Sequence, residues 1–298
     1  MTAPAAVRQD DPTGTMSAAV IAAPRRLELA AAELPAPGPG EVLVRIRGCG
    51  ICASSLPVWE GREWFDYPFP PGAPGHEPWG EVEAGPAELV GRRVAFLSDR
   101  GFAQHAVVAA DQAVTLPPEL DGLPFPGEAL ACAVLVLRRA EVSAGQTVGI
   151  VGLGFLGSSV AQLCRAAGAE VVEVRRGEQP ESDFERVIEC AGTQDALDTA
   201  SRLVATRGRL VLAGYHQDGL RSVDLRSWNW RGLDVVNSHE RDPLAVVRAM
   251  AEAVRLALSG VLDLGALVTH RFPLERLNEA FEAAATRPDG FVKAWVAP

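Results

Sequence analysis

Residues 147–157 read Thr-Val-Gly-Ile-Val-Gly-Leu-Gly-Phe-Leu-Gly, an apolar, β-branched run that passes without a break into a glycine-spaced turn. Leu156, Val160, Leu163, Cys164 and Ala167 then recur at helical spacing, and a second apolar run follows at 171–174. Strand, glycine turn, helix and strand in this order describe a βαβ unit, which is what turns a glycine pattern into a dinucleotide-binding signature. Each glycine has its own task there. Gly152 permits the tight turn, Gly154 lets a pyrophosphate approach the backbone, and Gly157 lets the helix pack closely on its strand. Phe155 and Leu156 complete the turn at the positive end of the helix, where an anion is favoured.

The charge of −10 and the scattering of the arginines argue against a nucleic-acid surface. No stretch approaches the roughly 20 uncharged apolar residues of a membrane span, and the N-terminus lacks a basic segment followed by an apolar core. A small-molecule substrate, no membrane and a cytoplasmic location are therefore expected. Five unevenly spaced cysteines, Cys49, Cys52, Cys132, Cys164 and Cys190, suit free thiols or metal ligands better than a disulfide framework.

With 298 residues, 48% of them hydrophobic, the chain can fill two cores. Residues 1–15 are small, polar and aperiodic and read as a loose tail. From 16 to about 115, short β-like runs at 42–46, 93–97 and 105–108 alternate with Pro and Gly clusters. Beyond Pro117 and Pro118, helical and strand patterns alternate: a helix at 128–139, the glycine-loop unit, strands at 186–189, 210–212 and 233–236, and a helix at 243–258. A helix at 274–285 and a strand at 291–296 close the chain. The class is α/β, a β-rich half followed by a doubly wound half, with the C-terminal end free to rejoin the first.

Chemistry-bearing residues cluster in the β-rich half: Gly-Cys-Gly-Ile-Cys-Ala-Ser at 48–54, Gly-His-Glu at 75–77 and, later, Gly-Glu-Ala-Leu-Ala-Cys at 127–132. With the glycine loop, these segments resemble the medium-chain dehydrogenase/reductase family of zinc-dependent alcohol and polyol dehydrogenases, from about Met16 to the C-terminus. The resemblance implies a GroES-like catalytic domain from both chain ends, 16–125 and 269–298, and a Rossmann nucleotide-binding domain at 126–268. It also implies one catalytic zinc, held by Cys52, His76 and, as in the polyol dehydrogenases, Glu128. Glu77 is able to approach the metal and Ser54 relays the alcohol proton. A thiolate, an imidazole and a carboxylate leave one position open, as a catalytic zinc requires. Cys132 is a rival third ligand.

Two departures from the family pattern stand out. Ser55 and Pro57 replace the usual Asp and His, removing a group that orients the ligands and a proton carrier. No four-cysteine lobe for a structural zinc occurs either. The departures keep two alternatives open: a metal-free NADPH-dependent quinone or enone reductase of the same superfamily, and a nucleotide-binding protein without turnover.

An acidic residue normally follows the second strand and holds the ribose of NAD. Here Arg175 and Arg176 stand at that place, and guanidinium forks suit a 2′-phosphate, so NADP is expected over NAD. Glu173, inside the same strand, is the candidate that would restore NAD. Ala191 and Gly214, in Glu-Cys-Ala-Gly and Ala-Gly-Tyr-His, resemble the strand ends that border the nicotinamide. An aromatic and charged loop at 59–67 is either a substrate wall or surface packing, and Arg226, Trp228, Trp230, Asn237 and His239 form a further polar-aromatic patch. Family relatives are commonly oligomers, so a homo-oligomer is expected.

Overall fold

Three sheets organise residues 14–181, 183–217 and 219–298, the residues described by a computed structural model. The expected tail lies outside them as far as residue 13, and Thr15 already belongs to the first strand. β1 (Thr15–Ala23) and β2 (Arg26–Glu33) form an antiparallel hairpin. Ala30, Ala31 and Ala32 are weak strand formers, so pairing with β1 rather than propensity makes β2 extended.

The next elements are β3 (Glu41–Gly50), the short helix α1 (Leu56–Glu60), β4 (Pro78–Ala84), β5 (Arg93–Phe96), β6 (His105–Ala109) and β7 (Ala113–Thr115). A long helix, α2 (Gly127–Ala140), leads into β8 (Thr147–Val151), α3 (Phe155–Ala166), β9 (Glu170–Val174) and β10 (Phe184–Glu189). Then come α4 (Gln194–Leu203), β11 (Val204–Leu212), α5 (Leu225–Arg231), β12 (Asp234–Asn237) and α6 (Pro243–Leu258). The chain ends with α7 (Leu264–Leu267), β13 (His270–Pro273), α8 (Leu277–Thr286) and β14 (Ala294–Ala297).

The seven-stranded sheet runs β13-β14-β3-β4-β5-β7, with β6 also paired to β3. Trp295 pairs with Gly50 and Val296 with Cys49, so the last strand lies along the first strand of this sheet. That register decides which side chains meet. On the other flank of β3, Cys49 pairs with Pro78 and the Gly50 N–H donates to the Glu77 carbonyl at 3.1 Å, so His76 and Glu77 pass beside the end of β3.

The second large sheet is parallel, ordered β12-β11-β10-β8-β9. Its two faces are covered by different helices. α2, α3 and α6 pack over Val148, Ile150, Ile188 and Val211, while α4 covers Val187, Val204 and Leu210. The sheet is therefore doubly wound, but it is short. The usual six strands run 3-2-1-4-5-6. Here β8 and β9 stand as strands 1 and 2, β10, β11 and β12 as 4, 5 and 6, and strand 3 is missing among the described residues. Among the described residues between β9 and β10 there is no helix. Two of the helices over this sheet, α4 and α6, begin on side-chain caps: Thr193 Oγ1 accepts from the Ala196 N–H at 3.3 Å, and Asp242 Oδ1 from the Leu244 N–H at 3.0 Å. Each cap is worth about 1 kcal/mol.

Candidate metal and nucleotide site

Cys52 ends the segment beyond β3, just before a 3-10 turn at Ala53–Ser55. The ligand atoms of Cys52, His76 and Glu77 all lie within 4.8 Å of one another. His76 Nδ1 is 2.9 Å from the Pro74 carbonyl, an acceptor only, so Nδ1 carries a proton and Nε2 faces the cluster. Ser54 Oγ lies 3.2 Å from Cys52 Sγ and 3.4 Å from His76 Nε2.

Glu77 is fully buried. Its Oε1 accepts from Lys293 Nζ at 2.8 Å, whereas its Oε2 has no hydrogen-bond partner. Lys293 is buried too, donates to the Ile51 carbonyl at 3.3 Å, and places its ammonium 4.4 Å from the centre of the Phe155 ring. One cation thus touches both the cluster and the first residue of α3. Gly50 must be glycine here, because a Cβ would come within 1.9 Å of Glu77 Oε2.

Burial alone would depress the His76 pKa, but the charge and hydrogen bond of Cys52, then the charges of Glu128 and Glu77, raise it to about 10. The cluster attracts positive charge. Glu128, on the first turn of α2, lies outside the 4.8 Å group. Its Oε1 accepts from Cys132 Sγ at 3.3 Å, burial raises its pKa, and His76 opposes that rise. Burial pushes the Cys132 thiol well up, with Glu128 adding to the effect, so this thiol is a donor rather than a thiolate.

A zinc ion fits this donor set. Thiolate, imidazole and carboxylate are its ordinary ligands, and the bare Glu77 Oε2 is a buried oxygen that lacks a positive partner. Cys49, the other half of the Cys-x-x-Cys pair, is buried with its thiol pushed up by desolvation, and all five cysteines are free.

In the glycine turn, Gly152 has φ +94° and its N–H donates to the Val174 carbonyl at 3.1 Å, tying the turn to β9. A Cβ on Gly157 would meet the Gly152 carbonyl oxygen at 1.9 Å. Gly154 differs: it is the N-cap of α3, and a Cβ there would meet only the Arg287 guanidinium, at 3.2 Å. Arg175 follows β9 directly, with its guanidinium 3.7 Å from Glu173, which also pairs with Arg165 at 2.7 Å.

The strand ends expected beside the nicotinamide share an anchor that residue type and spacing alone do not mark. Glu189, buried at the end of β10, accepts from the Ala191 and Gly192 N–H groups on Oε1, both at 2.7 Å, and from His216 Nε2 on Oε2 at 2.9 Å. Arg221 Nε donates to His216 Nδ1 at 3.1 Å, on the far side of the ring from Glu189. A Cβ on Gly214 would clash with the Gly192 nitrogen at 2.2 Å. Gln217 then reaches across to the Ala53 carbonyl at 3.4 Å, next to Cys52.

Other expected residues have structural roles. Trp59 is fully buried, stacks on Phe281 and donates to Asn278 Oδ1 at 2.9 Å, so the first residue of the 59–67 loop is packing rather than pocket wall. The late polar-aromatic patch divides: Trp228 packs on the core, Trp230 is exposed, and His239 stacks on Tyr215.

The GroES-like domain of alcohol dehydrogenases matches residues 38–118, and the NAD-binding domain of D-isomer specific 2-hydroxyacid dehydrogenases matches residues 137–206. The chain is 24% identical to L-galactonate-5-dehydrogenase of Escherichia coli, over 90% of this chain and 95% of that protein. It is 28% identical to L-threonine 3-dehydrogenase of Pyrococcus abyssi, over 86% and 91%. A thermostable alcohol dehydrogenase of Pyrobaculum aerophilum, solved with cobalt and zinc bound, has the same fold: TM-score 0.81 at 24% identity, covering 95% of this chain and all of that one.

Proposed function

We propose that this chain is a member of the medium-chain dehydrogenase/reductase family and a zinc-dependent oxidoreductase carrying hydride between a secondary alcohol, polyol or sugar hydroxyl and NADP(H). The observation that carries the proposal is the convergence of Cys52, His76 and Glu77 within 4.8 Å, one carboxylate oxygen being buried without a partner.

We assign Cys52, His76 and Glu128 as the ligands. Glu77, held by Lys293 on one oxygen and bare on the other, is the carboxylate able to approach the ion. Bound zinc would supply Lewis acidity that brings a hydroxyl's pKa toward neutrality. Ser54 lies against both Cys52 and His76 and is half-exposed, so it would relay the proton, accepting the substrate's as it passes its own toward solvent. The Pro74 carbonyl fixes the His76 ring, and Glu189 fixes the loops at 191–192 and 214–216 that would flank the nicotinamide.

Arg175 and Arg176, directly beyond β9, support NADP as the preferred cofactor. The exposed Leu225 and Trp230 on α5, beside edge strand β12, support a homo-oligomer. Metal analysis of protein purified without chelator, combined with alcohol and polyol oxidation under NADP⁺ or NAD⁺, tests the reading. One zinc per chain and chelator-sensitive turnover are expected. Glu128→Gln should lower zinc content more than Glu77→Gln. Enone reduction indifferent to chelator would replace the proposal with the metal-free alternative.

A further inference from the structure

We infer that Arg287 is a phosphate-binding residue of the nucleotide site, delivered to it from the end of α8, on the β-rich side of the molecule. The inference rests on the reading of 152–157 as the nucleotide loop, and it adds a contact that the loop itself does not contain.

Position is the first argument. Nη1 and Nη2 of Arg287 lie 3.2 and 3.4 Å from where a side chain on Gly154 would begin, and Gly154 caps the positive end of α3. A diphosphate seated at that helix end would meet this guanidinium.

Charge is the second. The group acting on Arg287 is another cation, Arg176, two residues beyond β9. Among the described residues, neither guanidinium has a side-chain hydrogen bond or an ion pair. Partial burial and then the Arg176 charge hold the Arg287 pKa below the ordinary guanidinium value. Two guanidinium groups that repel each other, neither paired with a carboxylate, leave this end of α3 positive and favour anions there.

The backbone is the third. Arg287 occupies the left-handed C-cap of α8 at φ 49°, its N–H donating to the Ala283 carbonyl at 2.8 Å. Glycine suits that conformation better than arginine does.

Both the diphosphate shared by NADH and NADPH and the 2′-phosphate of NADPH alone are anions of this chemistry. Contact with Gly154 assigns the diphosphate to Arg287, and the place after β9 assigns the 2′-phosphate to Arg176. Because α8 packs with β13 and β14 while α3 belongs to the parallel sheet, the contact makes nucleotide binding tie the two halves together.

The test titrates the full chain with NADH and with NADPH, following nucleotide fluorescence, for wild type, Arg287→Gly and Arg176→Ala. Glycine relieves the left-handed backbone, so Arg287→Gly should melt no lower than wild type without nucleotide. It should bind both nucleotides on the order of ten- to a hundredfold more weakly, while Arg176→Ala should lose NADPH affinity alone. Arg287→Gly binding both nucleotides like wild type would overturn the inference. Loss of NADPH affinity alone in that variant would overturn the diphosphate assignment. A wild type that binds neither nucleotide would remove the dehydrogenase reading itself, a result distinguishable from either.

Discussion

The cluster around Cys52 and the turn around Gly154 are built in opposite ways. The cluster collects side chains from three distant places, Cys52, His76–Glu77 and Lys293, and strand register alone brings them together, β14 on one flank of β3 and the approach to β4 on the other. The turn is one continuous segment whose backbone forms the site, its glycines being defined by where a Cβ cannot go. A site made of side chains fails when one group is removed. A site made of backbone fails when one atom is added.

The sharpest break of this contrast is Cys52→Ser. Zinc content should fall from one equivalent to near none and alcohol turnover by on the order of a thousandfold, since metal polarisation is worth several kcal/mol. Full metal content and turnover in the variant would move the reaction away from this cluster. Next is Lys293→Met, which leaves the Glu77 carboxylate buried without its cation. Chemical denaturation of chelator-treated protein should show a loss of about 3–5 kcal/mol. Burial lowers the Lys293 pKa, but Glu77 and Cys52 outweigh it and raise the value in the folded state. The stabilisation is therefore complete below the unfolded lysine value of about 10.4 and is lost as pH rises through the higher folded value. A gap between wild type and variant that closes already near neutral pH would contradict this.

Smaller effects are expected in the turn. Gly157→Ala sets a methyl 1.9 Å from the Gly152 carbonyl oxygen and should cost about 1–3 kcal/mol together with nucleotide affinity. Gly154→Ala meets only the movable end of Arg287, so its melting temperature should stay within a degree or two while nucleotide binding weakens. Equal destabilisation by the two alanines would erase the distinction between a packing glycine and a ligand-facing one.

The same contrast decides what could be read from the sequence. The glycine turn was legible because its spacing and its strand-helix context are local, and β8, α3 and β9 fall where the apolar pattern puts them. Cys52 and His76 could be picked out by residue type and motif. That Glu77, rather than Glu128, stands within 4.8 Å of both follows from side-chain directions at the end of β3, which no spacing encodes. Lys293 did leave a trace: it is the only lysine in a chain otherwise furnished with arginine. A single lysine amid so many arginines marks a place where a compact ammonium is wanted instead of a planar fork. Glu189 and His216 meet across residues remote in sequence, and Arg287 reaches the turn from the far end of the chain. The missing strand was hidden for another reason, since a short link between two good strands looks like an ordinary loop until the pairing order is known.

That missing strand has a consequence for the molecule in crowded solution. β9 ends the parallel sheet with no partner on its outer side among the described residues, so a row of backbone donors and acceptors stands ready to recruit any extended peptide. The strand is brief and carries Glu170 and Glu173, the second bracketed by Arg165 and Arg175. A foreign strand docking there would have to strip water from charged side chains for every few backbone bonds it gained, so the shortened sheet discourages its own propagation into aggregates.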